Sequence, residues 1–259
     1  MYRYFLFFIF VSTFHLTTFG QFPSKLDTIK QTTVEPFNNI VFLHIYREKI
    51  WPKKDGLAKS TGFLVAPNII LTAAHNIHSV GGSRVTSIKI VPGKYFNQTP
   101  YDSIQISGEA NCTIAIQTHP NYSFTQISRK RIKHDFGIII IPQQNLPASF
   151  QNLTKTAFQL DSNFVLKRGD TLNVAGYPAD RGYGFNGDFL TSQTDICSAA
   201  YDKTFNHKLG TYRGNSGSPI WVNSNNKRIT VGIHTFRNAG TLLNKENLRL
   251  LLSWIAIHH

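Results

Sequence analysis

The sequence predicts an all-β fold that ends in one α-helix. Hydrophobic residues make up 41% of the 259-residue chain, and the strand-favouring residues Val, Ile, Phe and Tyr are abundant among them. The 18 glycines and 11 prolines supply turns between many short strands. Few stretches show the hydrophobic period of a helix. A chain of this length can bury two small cores or one large core.

The N-terminus has the order of regions found in a secretory signal peptide. Arg3 precedes an apolar run at residues 4–11, and small polar residues lead to Thr18-Phe19-Gly20. The run is far shorter than the ~20 residues that span a bilayer. We therefore interpret residues 1–20 as a signal peptide, with a signal anchor as the alternative, and residues 21–36 as a candidate pro-segment. The mature protein is expected to be secreted and extracellular.

Two segments in the first half of the chain carry groups that suit catalysis. Leu71-Thr72-Ala73-Ala74-His75 ends an apolar stretch with small residues and a histidine, and Asp135 stands just before the apolar run at residues 138–141. A buried carboxylate can fix the tautomer of an imidazole and stabilise the imidazolium. Asp102 and Asp170 are alternatives for this acid, but neither opens an apolar run.

The segment Gly214-Asn215-Ser216-Gly217-Ser218-Pro219 holds a serine in a glycine-flanked turn. Such a turn can present a nucleophilic hydroxyl beside backbone N–H groups that hold a developing oxyanion. The order His75, Asp135, Ser216 differs from that of α/β-hydrolases, which run Ser, Asp, His. Ser218 also stands where their G-x-S-x-G motif requires a glycine, so the α/β-hydrolase alternative fails twice.

Two other histidines lie near these residues. His78 is predicted to be a surface-loop residue rather than a second base. His134 is predicted to point away from Asp135, because neighbouring side chains alternate between faces in an extended strand.

At these residues the chain resembles the trypsin-like (chymotrypsin-fold) serine proteases. Thr72-Ala73-Ala74-His75 is similar to the base motif of that family, Asp135 to its acid, and residues 214–219 to its nucleophile loop. The resemblance runs from about Phe37 to the C-terminus. It is strongest to the glutamyl endopeptidase branch, through Gly62-Phe63-Leu64-Val65, Gly176-Tyr177-Pro178, Asn215 and Val231-Gly232-Ile233-His234.

The resemblance implies two six-stranded antiparallel β-barrels. Residues 37–145 would form the N-terminal barrel, and residues 146–259 would form the C-terminal barrel and the C-terminal helix. The segment from Pro142 to Asp161 is interpreted as the linker between them. For the helix, Asn244 is the expected N-cap, and Leu248, Leu251, Leu252 and Ile255 share the helical spacing of one apolar face.

The resemblance also implies a serine endopeptidase. Ser216 would attack the scissile carbonyl, His75 would act as general base and then general acid, and Asp135 would orient His75. The backbone N–H groups of Gly214 and Ser216 would form the oxyanion hole. The alternative from another class is an inactive homologue that serves as a cationic binding protein.

The strand Ile229-Thr230-Val231-Gly232-Ile233-His234-Thr235 is the candidate wall of the specificity pocket. Its isoleucine and valine side chains lie on one face, expected to be core, and His234 lies on the other face beside Gly232. The resemblance implies that His234 binds a substrate carboxylate and that Thr211 supplies a hydroxyl donor. Cleavage after Glu, with Asp weaker, is therefore expected, and a trypsin-like protease of other specificity is the alternative.

Three further residues near this pocket bear on specificity. Gly210 stands where trypsins carry their specificity aspartate, which disfavours cleavage after Lys or Arg. Arg213 and Arg237 depart from the small residues usual in the glutamyl endopeptidase branch. They would either add positive potential near the pocket or narrow it.

The formal net charge of +13 favours acidic partners of several kinds. The densest basic segment, Arg129-Lys130-Arg131-Ile132-Lys133, is typical of a solvated loop, and no nucleic-acid-binding module accompanies it. We expect acidic protein or peptide substrates, a monomer, and neither nucleic acid nor membrane as a partner. No cofactor and no metal are expected.

Cys112 and Cys197 fall one in each half, so a disulfide between them would tie the two barrels together; the sequence leaves this pairing open. Asn76 replaces the cysteine that follows the catalytic histidine in digestive trypsins. Glycosylation sequons begin at Asn97, Asn111, Asn121 and Asn152.

The residue before the candidate nucleophile bears on activation. Trypsin-type zymogens form an ion pair between a new N-terminal amine and an aspartate at this position, where the present chain has Asn215. A neutral amide cannot form that ion pair. The sequence therefore predicts activation without it.

Overall fold

The computed structural model describes residues 26–49, 56–79, 83–126, 128–151, 153 and 158–258. The predicted signal peptide, the start of the candidate pro-segment and the sequon at Asn152 lie outside the described residues. The other sequon asparagines, Asn97, Asn111 and Asn121, are exposed. Within the described residues, no helix is long and apolar enough to cross a bilayer.

The described residues form strands β1 (Asp27–Ile29), β2 (Ile40–Lys49), β3 (Gly56–Ala66), β4 (Ile69–Thr72), β5 (Ser83–Pro92), β6 (Ile104–Ser107), β7 (Ile116–Thr118), β8 (Gly137–Ile140), β9 (Thr171–Gly176), β10 (Leu190–Ala200), β11 (Thr204–His207), β12 (Pro219–Ser224), β13 (Lys227–Phe236) and β14 (Ala239–Leu242). The α-helices are α1 (Ala74–Ile77), α2 (Glu109–Ala115), α3 (Ser128–Ile132), α4 (Ala148–Gln151) and α5 (Lys245–His258).

The N-terminal half folds into one antiparallel sheet with the strand order β6-β5-β2-β3-β4-β8-β7. Among the described residues, the edge strands β6 and β7 do not pair with each other. Helix α2 lies between them in sequence and packs against β5, β6, β7 and β8. The N-terminal unit is therefore an open barrel whose gap is covered by a helix.

The C-terminal half folds into a closed antiparallel barrel. Its strand order is β10-β11-β14-β13-β12-β9, and pairing of β9 with β10 closes the ring. Strand β1, from the candidate pro-segment, pairs with the N-terminal end of β10 and adds a seventh strand to this sheet. The predicted all-β fold with a C-terminal helix is confirmed, and the C-terminal barrel closes with six strands as predicted. The N-terminal sheet differs from the prediction, because it has seven strands and its edge strands do not pair within the described residues.

A large apolar cluster joins the two barrels and α5. It contains Phe63 and Phe136 from the first barrel, Trp221 and Ile233 from the second, and Trp254 from the helix. The Phe136 and Trp254 ring centroids lie 5.6 Å apart. Burial of apolar and aromatic surface is the main favourable term in such packing. The cluster therefore fixes the position of one barrel relative to the other.

Helix α5 begins as predicted. The Oδ1 of Asn244 accepts a hydrogen bond from the N–H of Asn247 at 2.9 Å, which caps the first turn. Its apolar face differs from the predicted face at one position. Leu252, which was expected on this face, is 43% exposed, whereas Trp254 is 4% exposed. The helix meets the barrels along the line of Leu248, Leu251 and Trp254, and Leu252 lies outside this contact.

The two cysteines are free, so the disulfide that the sequence left open does not form. Cys112 is buried in the core of the first barrel and Cys197 in the core of the second. Burial raises the pKa of both thiols, which disfavours the reactive thiolate. Each cysteine therefore serves as a small core residue.

Candidate active site

His75 is positioned by the end of a buried strand. Strand β4 is fully buried, and α1 begins two residues after it and carries His75 in its first turn. The guanidinium of Arg47 donates to the carbonyl oxygens of His75, at 3.3 Å, and of Asn76. Because these carbonyls are at the end of a one-turn helix, Arg47 supplies partners that the helix itself lacks.

Asp135 contacts His75 through both carboxylate oxygens. Oδ2 lies 2.8 Å from Nδ1 of His75, and Oδ1 accepts from the backbone N–H of His75 at 2.9 Å. Asp135 is 1% exposed. The hydroxyl of Thr241, on β14, donates to the carbonyl oxygens of Ile132 and Asp135 at 2.6 and 3.4 Å. The second barrel thus fixes the backbone that carries this carboxylate.

The alternative acids are used elsewhere. Asp102 accepts a hydrogen bond from the hydroxyl of Ser149, and Asp170 accepts one from the backbone N–H of Lys167. Their partners are residues of turns and of a short helix. Of the three carboxylates considered from the sequence, Asp135 is the one in contact with His75.

The neighbouring histidines do not compete for Asp135. His78 is half-buried, with its ring edge against Tyr122 at a centroid distance of 5.1 Å. The ring of His134 stacks on His119, with centroids 4.4 Å apart. Burial and the neighbouring His134 lower the pKa of His119 to about 4, so the stacked pair is neutral near pH 7.

The backbone of Ser216 is held by the first barrel. Its carbonyl oxygen accepts from the N–H of Thr61 at 3.0 Å and from the side-chain amide of Asn76 at 2.9 Å. Asn76 follows His75 directly in the chain. These two bonds connect the candidate nucleophile to the segment that carries the candidate base.

The backbone N–H groups of Gly214 and Ser216 have no acceptor among the described residues. The other loop amides are used: the N–H of Gly217 donates to the carbonyl of His234 at 2.8 Å, and that of Ser218 to Asn215 at 3.0 Å. Unpaired backbone donors are uncommon in a well-packed segment. The two that remain are those that the sequence predicts for an oxyanion hole.

The glycines of this loop are required by its geometry. Gly214 and Gly217 have φ of 92° and 89°, a region that side chains with Cβ rarely occupy. A Cβ at Gly217 would also lie 2.0 Å from the carbonyl oxygen of Thr61. The loop therefore makes a closer approach to β3 than any other residue type allows.

Thr61 is the main polar link between β3 and the nucleophile loop. Its hydroxyl donates to the carbonyl of Gly214 at 2.8 Å and accepts from the N–H of Tyr177 at 2.9 Å. Its own carbonyl accepts from the hydroxyl of Thr72 at 2.7 Å. Thr61 has no exposed surface, so each of these bonds is shielded from water.

Replacing Thr61 with valine should destabilise the fold and weaken catalysis together. The change leaves a buried carbonyl and a buried N–H without partners, which costs roughly 1–3 kcal/mol of unfolding free energy for each group. Urea unfolding and kcat measured on the same preparation test this expectation. Thr171→Val, at an exposed position of β9, is the matched control and should change stability by less than about 0.5 kcal/mol. Equal stability of the two variants would contradict the assigned role of Thr61.

Asn215 is satisfied within its own loop. Its Oδ1 accepts from the N–H of Tyr212 at 3.0 Å, and its N–H donates to the carbonyl of Tyr212 at 3.0 Å. Asn215 is 3% exposed. The loop is therefore ordered by local hydrogen bonds at the position where trypsin-type zymogens use an aspartate.

His234 lies against the nucleophile loop and a second histidine. Its N–H donates to the carbonyl of Ser218 at 3.0 Å, and its Nδ1 lies 3.3 Å from Nε2 of His207, on β11. Among the described residues, Nε2 of His234 has no hydrogen-bond partner. Burial, the neighbouring His207 and the more distant His75 lower the pKa of His234 well below its usual value.

The pocket face of β13 is more crowded than the sequence predicts. A Cβ at Gly232 would lie 2.5 Å from the ring of Phe205, so the space beside this glycine is already filled. The hydroxyl of Thr211 donates to the carbonyl of Arg237 at 3.0 Å. The side chains of Arg213 and Arg237 are exposed. Neither arginine fills the interior of the pocket.

The sequence alone predicts neither the pairing of His207 with His234 nor the bridging roles of Thr61 and Asn76. His207 alternates with buried Phe205 on β11, a pattern that predicts burial but gives no partner. Thr61 and its partner Gly214 are 153 residues apart in sequence, and Asn76 and its partner Ser216 are 140 residues apart. No local signal encodes such contacts.

Comparison with known proteins gives one family and several relatives. A family model named Trypsin matches residues 46–248. The extracellular metalloprotease of Bacillus subtilis is 27% identical over 217 residues, which is 83% of this chain and 61% of that protein. The glutamyl endopeptidase of Bacillus licheniformis is 25% identical over 245 residues, covering 87% of this chain and 66% of that protein. The chain thus spans less than two thirds of the length of these relatives. The Bacillus subtilis relative is named a metalloprotease. Among the described residues of the present chain, no group of three or more His, Cys, Asp or Glu could hold a metal ion.

Solved structures agree on the fold. A Glu endopeptidase in complex with MPD matches with a TM-score of 0.65 at 20% identity, covering 89% of this chain and 96% of the other. The protease Anisep from Arthrobacter nicotinovorans matches with a TM-score of 0.57 at 15% identity, covering 79% and 89%. The match of the family model to most of the chain, together with these likenesses, shows that this chain belongs to the trypsin family of serine proteases and resembles its glutamyl endopeptidase branch.

Proposed function

We propose that the protein is a serine endopeptidase in which His75, Asp135 and Ser216 form the catalytic triad. The observation that carries the proposal is the hydrogen bond from Asn76 to the carbonyl of Ser216. It joins the serine to the residue next to a histidine whose Nδ1 already contacts a buried carboxylate. In the proposed triad the carboxylate of Asp135 supports the imidazole of His75, and this imidazole activates the hydroxyl of Ser216, which is the order that acyl transfer requires.

Each side chain has a defined role in the proposed reaction. Nε2 of His75 takes the hydroxyl proton of Ser216 as Oγ bonds to the scissile carbonyl carbon. The same proton then goes to the leaving amine, and the C–N bond breaks to give an acyl-enzyme. Water, deprotonated by His75, then attacks the ester carbon, the bond to Oγ of Ser216 breaks, and His75 returns the proton to Oγ as the acid product leaves. Asp135 accepts from Nδ1–H throughout and stabilises the imidazolium.

The two unpaired backbone N–H groups, of Gly214 and Ser216, stabilise the tetrahedral intermediate. Negative charge develops on the substrate carbonyl oxygen only as Ser216 attacks. Donors that are fixed in advance need no reorganisation at that moment, and loss of one such donor lowers kcat by about 10²–10³-fold in other enzymes. The bond from Thr61 to the carbonyl of Gly214 holds this part of the loop in place.

His234 is proposed to select substrates with Glu, and more weakly Asp, before the cleaved bond. When Nε2–H of His207 donates to Nδ1 of His234, the proton of His234 is on Nε2. That N–H is then available to a substrate carboxylate. The hydroxyl of Thr211 donates a hydrogen bond to the backbone carbonyl of Arg237, so it can donate to a substrate carboxylate only after it rotates.

Two experiments test the proposed activity and preference. A fluorophosphonate probe should label the purified protein and should not label Ser216→Ala. Profiling on a peptide library should then give cleavage mainly after Glu. No labelling of the wild-type protein would overturn the proposed activity. Strong cleavage after Leu, Phe or Arg, with none after Glu, would overturn the preference alone.

Secretion is proposed from the N-terminal sequence, and a relative named an extracellular protease supports it. The acidic substrates, the monomeric state and the sequon glycans remain predictions. Expression with residues 1–20 intact should release protein into the medium, and N-terminal sequencing should show that these residues are absent. An unprocessed N-terminus on membrane-associated protein would instead support the signal anchor.

The buried histidine pair predicts a loss of stability in acid. Burial lowers the pKa of His207 to about 4, against an ordinary value of 6.5, although the carboxylate of Asp195 opposes the shift. The unfolded chain therefore binds this proton first, so stability present above pH 6.5 is lost as the pH falls toward 4. His207→Gln removes the titrating group and should reduce the loss of unfolding free energy between pH 7 and pH 5 by roughly 2 kcal/mol. Urea unfolding at both pH values is the measurement. If the variant loses as much unfolding free energy between pH 7 and pH 5 as the wild-type protein does, the prediction is wrong.

A further inference from the structure

A second cleft adjoins the nucleophile loop, away from the candidate specificity pocket. It has a volume of about 520 Å³, and its walls include Gly214, Arg213, Lys59 and Arg181. His234 and Thr211 do not line it. The acyl half of a substrate is assigned to the side of His234. A cleft that adjoins Gly214 and is lined by neither His234 nor Thr211 is therefore the candidate site for the leaving-group half of the chain.

Lys59 is close to the reacting atoms through β3. It precedes Thr61 by two residues on this strand, and residues so spaced share one face and are about 7 Å apart. The side-chain hydroxyl of Thr61 donates to the carbonyl of Gly214 in the nucleophile loop. Lys59 is thus on the face of β3 that meets this loop, and it lines the same cleft as Gly214.

Arg213 approaches the same place from the other wall. It directly precedes Gly214, and its carbonyl accepts from the N–H of Ala179 at 2.6 Å. This bond fixes the backbone of Arg213 while its side chain stays exposed. The backbone of Arg213 is therefore fixed beside the candidate oxyanion hole, and its exposed guanidinium can reach a ligand in the cleft.

The cleft has uncompensated positive charge. Lys59 donates to the carbonyl of Asn186 at 2.8 Å, which uses one of its three N–H donors. The carboxylate of Asp180, in the same wall, accepts from the N–H of Gly182 at 3.2 Å. Among the described residues, no ion pair includes Lys59, Arg181 or Arg213. The walls of the cleft thus hold three cationic side chains and one carboxylate, and that carboxylate already accepts a hydrogen bond from its own loop.

We propose that this cleft binds acidic side chains of the substrate at the first two positions after the cleaved bond. Arginine and lysine donors match a carboxylate in charge and geometry. The proposal rests on the proposed protease activity, but it does not depend on the role of His234. Together with the Glu preference proposed for His234, it predicts that the protein cuts within acidic segments, because acidic side chains on both sides of the cleaved bond are bound.

Matched peptides test the proposal. Each carries Glu before the cleaved bond and either Asp or Asn at both of the next two positions, and mass spectrometry identifies the bond cut. At low ionic strength the wild-type protein should show a kcat/KM about fivefold higher for the Asp peptide, the range expected for partly exposed ion pairs. The ratio should fall toward one at 1 M salt, where the Debye length is about 3 Å.

Variants separate the cleft from the general charge of the protein. The double variant Lys59→Gln/Arg213→Gln should lower the Asp-to-Asn ratio to less than twofold. Lys227→Gln, at an exposed position of β13 outside the cleft, is the control and should keep the wild-type ratio. A wild-type ratio of one, an unchanged ratio in the double variant, or an equal drop in Lys227→Gln would each overturn the proposal.

A substrate that lacks residues after the cleaved bond separates the test of the cleft from the test of the protease activity. A Glu anilide tests the proposed activity without using the cleft. Cleavage of the anilide with no Asp preference in the peptides would overturn the cleft alone. A protein that the fluorophosphonate probe labels but that cleaves neither substrate would overturn the Glu preference, and the peptide pair is then rebuilt on the residue that the library selects. Absence of both labelling and cleavage would overturn the proposed function.

Discussion

Replacing Ser216 with alanine should lower kcat for peptide hydrolysis by about 10⁶-fold, the loss seen when a triad nucleophile is removed in an unrelated serine protease. The reason is chemical, since no acyl-enzyme forms without the hydroxyl oxygen. Asp135→Asn should lower kcat by about 10⁴-fold, because an amide holds the imidazole of His75 in the wrong tautomer. The measurement is the steady-state rate on one peptide substrate at constant pH.

Two matched controls accompany this prediction. Ser218 is buried in the same loop, and its hydroxyl has no hydrogen-bond partner among the described residues, so Ser218→Ala should keep activity within a few-fold. Asp102→Asn tests a carboxylate that does not contact His75. Thermal unfolding of each variant separates loss of chemistry from loss of fold. Full activity in Ser216→Ala would refute the triad.

Removing the imidazole of His234 should change substrate preference more than overall activity. A charge-assisted hydrogen bond to a substrate carboxylate contributes about 1.5–3 kcal/mol, so His234→Ala should lower kcat/KM for a Glu peptide by about 10–150-fold. A matched peptide with Leu at the same position should lose less than about threefold. The backbone bonds of His234 to Gly217 and Ser218 do not involve its side chain, so the nucleophile loop should keep its geometry.

His234 is buried, and its alanine variant leaves a cavity beside His207. His234→Gln is therefore the second variant, because it fills most of the space and keeps an N–H donor. It should recover part of the Glu preference, and His207→Leu should reduce that preference by removing the donor to Nδ1. Equal losses on Glu and Leu peptides in all three variants would assign His234 a structural role.

Local sequence signals predict much of the fold and select candidates for the triad. The all-β prediction followed from composition and turn residues, and the start of α5 followed from Asn244 and the spacing of Leu248 and Leu251. Asp135 was preferred over Asp102 because it precedes an apolar run, and the structure places it in contact with His75. Each of these inferences depends on residues close together in the chain, where spacing and propensity act directly.

Contacts between distant segments were decided only by the tertiary structure. These include the closure of the second barrel but not the first, the separation of Cys112 from Cys197, and the pairing of His207 with His234. Asn76 and Ser216 are 140 residues apart in sequence and meet only because the apolar cluster between the barrels fixes their relative position. Hydrophobic burial is non-directional, so the sequence pattern shows which residues are buried without showing which will touch. Specific partners arise only when packing of the barrels brings a buried donor and a buried acceptor within hydrogen-bond distance.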